Sequence, residues 1–169
     1  LMKNKKKLIA VFSGNRAEYG LIKPILEAIN KSNNIEYKLL VSGAHLDKNF
    51  GKTIKEIQKD NFKIFSEVKI NMRDFNITST PLAISSGISS LAPLLKKINP
   101  DFFLVYADRF EGFSAIITST QMNIPTIHLE GGDITEGGAF DDSVRHAMTK
   151  LAHIHFTTNI QATKRILKM

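Results

Sequence analysis

The residues able to do chemistry crowd into one stretch, Thr126 to Phe156, TIHLEGGDITEGGAFDDSVRHAMTKLAHIHF. An apolar run ends in Glu130. A glycine-rich loop follows, with Gly131, Gly132, Gly137 and Gly138 around Asp133 and Glu136. Asp141 and Asp142 then open a segment that continues Ser143-Val144-Arg145-His146. Glycine lets the backbone turn sharply, so acidic, guanidinium and imidazole groups can face one point. Folding alone does not require that density of ionisable groups, and the stretch reads as the wall of an active site. Carboxylates gathered in a cleft shift one another's pKa and suit acid/base work. Helical spacing adds candidate pairs at i, i+4, Asp141–Arg145 and Asp142–His146.

Those groups need a scaffold, and the rest of the chain supplies one. Apolar β-rich runs at Lys7–Ser13, Ile35–Val41 and Phe102–Tyr106 alternate with amphipathic segments. The first helix is expected over Ala17–Asn30, with Pro24 in its first turn. Another is expected over Leu46–Lys59, with Phe50, Ile54 and Ile57 on one face. Phe62–Val68 reads as an edge strand and Asn71–Thr80 as a polar, mobile loop. Pro81–Ile98 reads as a helix kinked or broken at Pro93. Glu111–Met122, Asp141–Leu151 and Ile160–Met169 read as helices, and Pro125–Leu129 and Ile154–Thr157 as strands. Such alternation means βαβ units: an α/β, Rossmann-like open parallel sheet with helices on both faces. Phe102–Tyr106, the most apolar run, belongs in the middle of it.

In open parallel sheets ligands bind beyond the carboxyl ends of the strands. Polar and ionisable residues fall at each such end: Gly14, Asn15, Arg16 and Glu18; Gly43 and His45; Asp108 and Arg109; Glu130 to Asp133. The first turn, SGNRAEYG, lacks both the G-x-G-x-x-G and the G-x-x-x-x-G-K-[ST] patterns. Arg16 beside a helix N-terminus suits a phosphate, and the competing reading is a surface Arg16–Glu18 pair. Asp108 and Glu130 close strands that should be neighbours; singly they would pass for a helix cap and a turn residue. His128, His153 and His155 read as packed core histidines, the last two on one strand face. His45 is the better ligand candidate.

Composition narrows the partners. The chain has 169 residues, 43% hydrophobic and 23% charged, with a formal net charge of +7. Lys3, Lys5, Lys6 and Lys7 supply much of that excess. No basic stripe with interleaved aromatics accompanies it, so nucleic acid is not an expected partner. Cysteine is absent, which excludes disulfides and thiolate metal sites. No metal or cofactor is expected. No apolar run approaches the ~20 residues that span a bilayer, and Leu8–Phe12 is too short for a signal-peptide core. A cytoplasmic location with no membrane contact follows as the expectation. The final segment stops without a cap, which reads as a chain cut from something longer.

With these residues in hand, the chain resembles the N-terminal half of a UDP-N-acetylglucosamine 2-epimerase. The resemblance is carried by SGNRAEYG (13–20), VSGAHL with Phe50, Gly51 and Thr53, YADRFE (106–111), and the long stretch 128–156. It is closest to the hydrolysing branch of sialic- and legionaminic-acid biosynthesis. It implies half of a two-domain fold like that of the GT-B glycosyltransferases, with a C-terminal nucleotide-binding domain outside this chain. The resemblance implies that Asp108, Glu130 and Asp141 match the family's catalytic carboxylates. Arg16, His45, Arg109, Arg145 and His146 fall on the substrate side. The implied reaction is anti elimination of UDP to a 2-acetamidoglucal, then hydration to N-acetylmannosamine. Where the non-hydrolysing branch commonly carries a lysine, this chain has Leu21. The implied partners are a nucleotide sugar and a second copy in a homodimer. Non-hydrolysing epimerase and non-catalytic sugar-nucleotide-binding or assembly module stay open as alternatives. The piece alone is expected to show no turnover and weak nucleotide binding.

Overall fold

Strand β1 (Lys7–Ser13) sets the pattern of the sheet. Its apolar residues alternate between two faces, and both faces are covered. Val11 packs with Ile22, Leu26, Leu39, Val41 and Ile57 on one side. Ala10 and Phe12 pack with Leu91, Leu95, Phe103, Val105, Ile116 and Met148 on the other. A strand buried on both faces reads as an unbroken apolar run, which is why it was legible as parallel β. The computed structural model describes residues 5–47, 53–70 and 76–169.

The remaining elements are α1 (Arg16–Lys31), β2 (Ile35–Ser42), a 3-10 turn at Gly43–His45, α2 (Ile54–Lys59) and β3 (Ile64–Val68). They continue as α3 (Ser79–Ile98), β4 (Phe102–Tyr106), α4 (Phe110–Gln121), β5 (Thr126–Leu129), α5 (Phe140–Leu151), β6 (Ile154–Phe156) and α6 (Ile160–Ile166). Every strand pairs in parallel, in the order β3-β2-β1-β4-β5-β6. The expected α/β open sheet is therefore present, with β4 inside it and β3 at one edge. Helices α3 and α4 approach closely because Gly87 lies against Ser114, where any side chain would collide.

Several local expectations are corrected. Pro24 sits well inside α1 rather than in its first turn. Gly20, four residues earlier, is exposed, as is Pro24, so the carbonyl that proline cannot serve faces solvent. Helix α3 likewise continues through exposed Pro93. The helix expected from Leu46 shrinks to Ile54–Lys59, after a 3-10 turn; Phe50 lies outside the described residues. The loop expected at Asn71–Thr80 falls partly outside them, and its last two residues already belong to α3. His153 precedes β6 instead of sharing it with His155.

Candidate active site

The ladder between β4 and β5 ends at Tyr106↔Leu129, so the next residues of both strands emerge side by side. Ala107 donates its N–H to Leu129 O at 3.0 Å, and Glu130 donates to Phe156 O at 2.8 Å. Both residues then turn left-handed, Ala107 at φ 53° and Glu130 at φ 58°. Neither is glycine, and each such position costs about 1 kcal/mol or more. Strain of this kind gathers at functional sites. Here it releases Asp108 and Glu130 from adjacent strand ends just beyond the sheet.

Arg145 of α5 gathers the acidic groups. It bonds Asp108, and its Nη1 donates to Asp142 Oδ1 at 2.9 Å. Side-chain exposures of 13% for Arg145 and 17% for Asp108 mark this as a half-closed network rather than a surface pair. Asp142 also accepts from the Thr135 N–H and hydroxyl, at 3.0–3.1 Å, and so ties the glycine loop to α5. The Thr135 N–H is the main reason its carboxyl stays below the usual range, with Arg145 adding to it. The expected Asp141–Arg145 and Asp142–His146 pairs are replaced by this i, i+3 contact. His146 Nδ1 is buried without a partner among the described residues. Asp141 stays exposed, and its charge reaches Arg109. Asp108 caps no helix: Arg109 holds the N-cap of α4, and the Asp108 carboxylate goes to Arg145. The Tyr106 hydroxyl is buried without meeting hydrogen-bond geometry, and burial followed by the nearby Glu130 keeps it protonated.

A second cluster lies at the ends of β1 and β2. Asn15 caps α1 by accepting from Glu18 N at 3.0 Å. The Glu18 carboxylate returns to Gly14 N and Asn15 Nδ2, both at 2.7 Å. This is close to a capping box. Burial is the main cause that raises the Glu18 carboxyl to about 7; the Gly14 N–H opposes it, the Glu111 charge adds to it, and Arg109 opposes it again. Glu111 is itself buried and takes a forked contact from Arg109, at 3.2 and 3.3 Å. Arg16 does not pair with Glu18. It reaches Glu56 at 2.9 Å while 71% of its side chain stays exposed.

His45 is fully buried, with Nε2 on Ser13 Oγ at 2.9 Å and Nδ1 on Thr53 Oγ1 at 2.8 Å. Both nitrogens are engaged, and burial pushes its pKa down to about 4. The ring therefore holds the first turn to α2, with both nitrogens engaged by hydroxyls. His128 is a packed core histidine, with Nε2 on Ala107 O at 2.6 Å. Asp133 and Glu136 are loop residues; Asp133 accepts from Ile134 N and Thr158 Oγ1. Glu18 was legible at a strand end, where Asn15-x-x-Glu18 also carries the capping-box signal, but the buried Glu111 beside it was not. Among the described residues no group of His, Asp and Glu is arranged to hold a metal ion.

The Rossmann-like sheet carries two clusters of carboxylates and arginines at the carboxyl ends of its strands, where open parallel sheets bind ligands. The chain belongs to the family of UDP-N-acetylglucosamine 2-epimerases, whose profile matches residues 27–169. It is 34% identical over 164 residues to the UDP-N,N'-diacetylbacillosamine 2-epimerase (hydrolyzing) of Legionella pneumophila, covering 97% of this chain and 43% of that protein. It is 33% identical over 164 residues to the GDP/UDP-N,N'-diacetylbacillosamine 2-epimerase (hydrolyzing) of Campylobacter jejuni, covering 97% and 42%. The crystal structure of UDP-GlcNAc 2-epimerase from Neisseria meningitidis bound to UDP-GlcNAc shares the fold, with a TM-score of 0.80 at 23% identity. That match covers 96% of this chain and 42% of the other. The chain thus spans a little over two fifths of the length of these relatives.

Proposed function

We propose that this chain forms the N-terminal catalytic half of a hydrolysing nucleotide-sugar 2-epimerase. One observation carries the reading: Asp108 and Glu130 leave adjacent strands through strained turns, and Arg145 ties Asp108 to Asp142, the neighbour of Asp141 in the first turn of α5. A carboxylate in that group removes the C2 proton of the sugar. The C1–O bond breaks, and the nucleoside diphosphate departs toward Arg109 and Arg145, leaving a 2-acetamidoglucal. Addition of water across that double bond gives the free 2-epimeric sugar. Arginines stabilise the departing diphosphate where its charge develops. Arg16 and His146 complete the substrate side, and His45 acts through the turn it holds. The relatives named above support hydrolysis as the outcome, and they favour a UDP- or GDP-linked acetamido sugar.

In this proposal residues 1–169 form one unit that faces a nucleotide-binding domain across a cleft, in a cytoplasmic homodimer. The test is product analysis with the full-length protein and UDP-linked N-acetylglucosamine or N,N'-diacetylbacillosamine. Free 2-epimer plus UDP is expected. A nucleotide-linked epimer would mean the non-hydrolysing reaction, and binding without turnover a non-catalytic module. Light scattering checks the dimer. The isolated 169-residue piece should show no turnover; measurable epimerisation by it would overturn the two-domain reading.

A further inference from the structure

Arg109 stands between two acids of different kinds. Its Nε and Nη2 fork onto Glu111, while the charge of exposed Asp141 reaches it from α5. Its side chain is 48% exposed; that of Glu111 is 3% exposed. A buried carboxylate costs several kcal/mol unless it is paired and hydrogen-bonded, and a packed apolar residue usually serves folding as well or better. Yet three elements shape a slot for this one. A Cβ at Gly43 would meet Gly14 O at 2.6 Å and Glu111 Oε1 at 2.8 Å, and one at Gly14 would meet the Glu111 Cβ at 3.2 Å. Gly43 also holds φ at +56°. The β1 turn, the end of β2 and the start of α4 thus leave room for a carboxylate at that place and little else. Its forked contact uses one edge of the guanidinium. Nη1 is left without a hydrogen bond among the described residues. The buried Glu18 carboxylate goes to Gly14 N and Asn15 Nδ2, not to the arginine.

We propose that Glu111 is a positioning residue: it grips one edge of the Arg109 guanidinium and thereby presents the other edge to the diphosphate of the nucleotide sugar. This rests on the nucleotide-sugar reading above. The slot explains why the cation sits on a rigid floor instead of on a mobile surface side chain. Ordering it in advance removes a rotamer-entropy cost from binding.

The experiment uses the full-length protein, with UDP binding by calorimetry and the Arg109 Nε–H signal by NMR. In the unsubstituted protein that signal should be resolved and slow to exchange. Glu111→Gln should move it to the position of a free arginine and weaken UDP binding about ten-fold, the loss of one charge-assisted contact. kcat/KM should fall mainly through KM, whereas mere loss of folded protein would lower kcat and leave KM. Adding Glu111→Gln to Arg109→Ala should cost nothing further, because the two act through one contact. Glu111→Asp keeps the charge but withdraws it by a methylene, and carries the same test if the amide does not fold. UDP binding as tight as in the unsubstituted protein, or additive losses in the double variant, overturns the inference and leaves the nucleotide-sugar reading intact. No UDP binding by the unsubstituted protein overturns both.

Discussion

Two clusters of ionisable groups sit at the carboxyl end of this sheet, and they are built in opposite ways. Around Glu18 and Glu111 the carboxylates are sealed, hydrogen-bonded at both ends and floored by glycine. Around Asp108, Glu130 and Asp141 they are half-open, and one arginine holds only some of them. Desolvated, fully satisfied groups define geometry. Groups left part-exposed keep lone pairs for a ligand. The difference separates the residues expected to do chemistry from those expected to hold them in place.

The comparison breaks first at the open cluster. In the full-length protein, Asp108→Asn, Glu130→Gln and Asp141→Asn should each lower kcat/KM by about a hundred- to ten-thousand-fold, the usual range for a proton-transfer group. Steady-state kinetics decide it, and unchanged turnover in all three would end the catalytic reading. Arg145→Ala should cost stability as well as activity, about 3 kcal/mol, because Asp108 and Asp142 lose their shared cation. Chemical denaturation measures that. On the sealed side, Gly43→Ala should destabilise by about 2 kcal/mol through its positive φ and its collision with Gly14 and Glu111.

Titration sharpens the same contrast. The folded Glu18 pKa is raised from 4.5 to about 7, so its contribution is complete below 4.5 and lost as pH rises through 7. His45 and His128 are lowered from 6.5 to about 4, so theirs is complete above 6.5 and lost as pH falls through 4. Between those limits two histidines outweigh one carboxyl. Stability should rise with pH by roughly 1.4 kcal/mol per unit, the slope of one net proton. Glu18→Gln should steepen that slope and His45→Asn should flatten it, read from denaturation midpoints between pH 4.5 and 6.5. The smallest effect belongs to the strained turn: Ala107→Gly should stabilise by about 1 kcal/mol.

Much of this was legible beforehand. The six strands and their parallel pairing were expected from apolar runs that alternate with helical segments; β1, β4 and β5 are mostly buried and cannot hide their composition, whereas β6 is largely exposed. Asp108 and Glu130 were placed together by strand adjacency alone. Contacts between distant side chains were not legible. Arg145 meets Asp108 across 37 positions, and helical spacing pointed it at Asp141 instead. Local rules also misjudged the two prolines, since exposure of the freed carbonyl decides whether a helix survives them. The competing reading of Glu18 as a surface partner for Arg16 fails because burial at a helix start depends on what packs above it.

Glu130 combines two liabilities in one residue, a left-handed backbone and a part-buried acid just past a strand end. Replacing it with glycine would remove both together. On the proposed role of Glu130, such a variant would be the sturdier protein and the poorer catalyst, so at this position robustness and turnover should trade against each other. On that reading, selection for thermal tolerance alone would favour a substitution that costs the proposed chemistry.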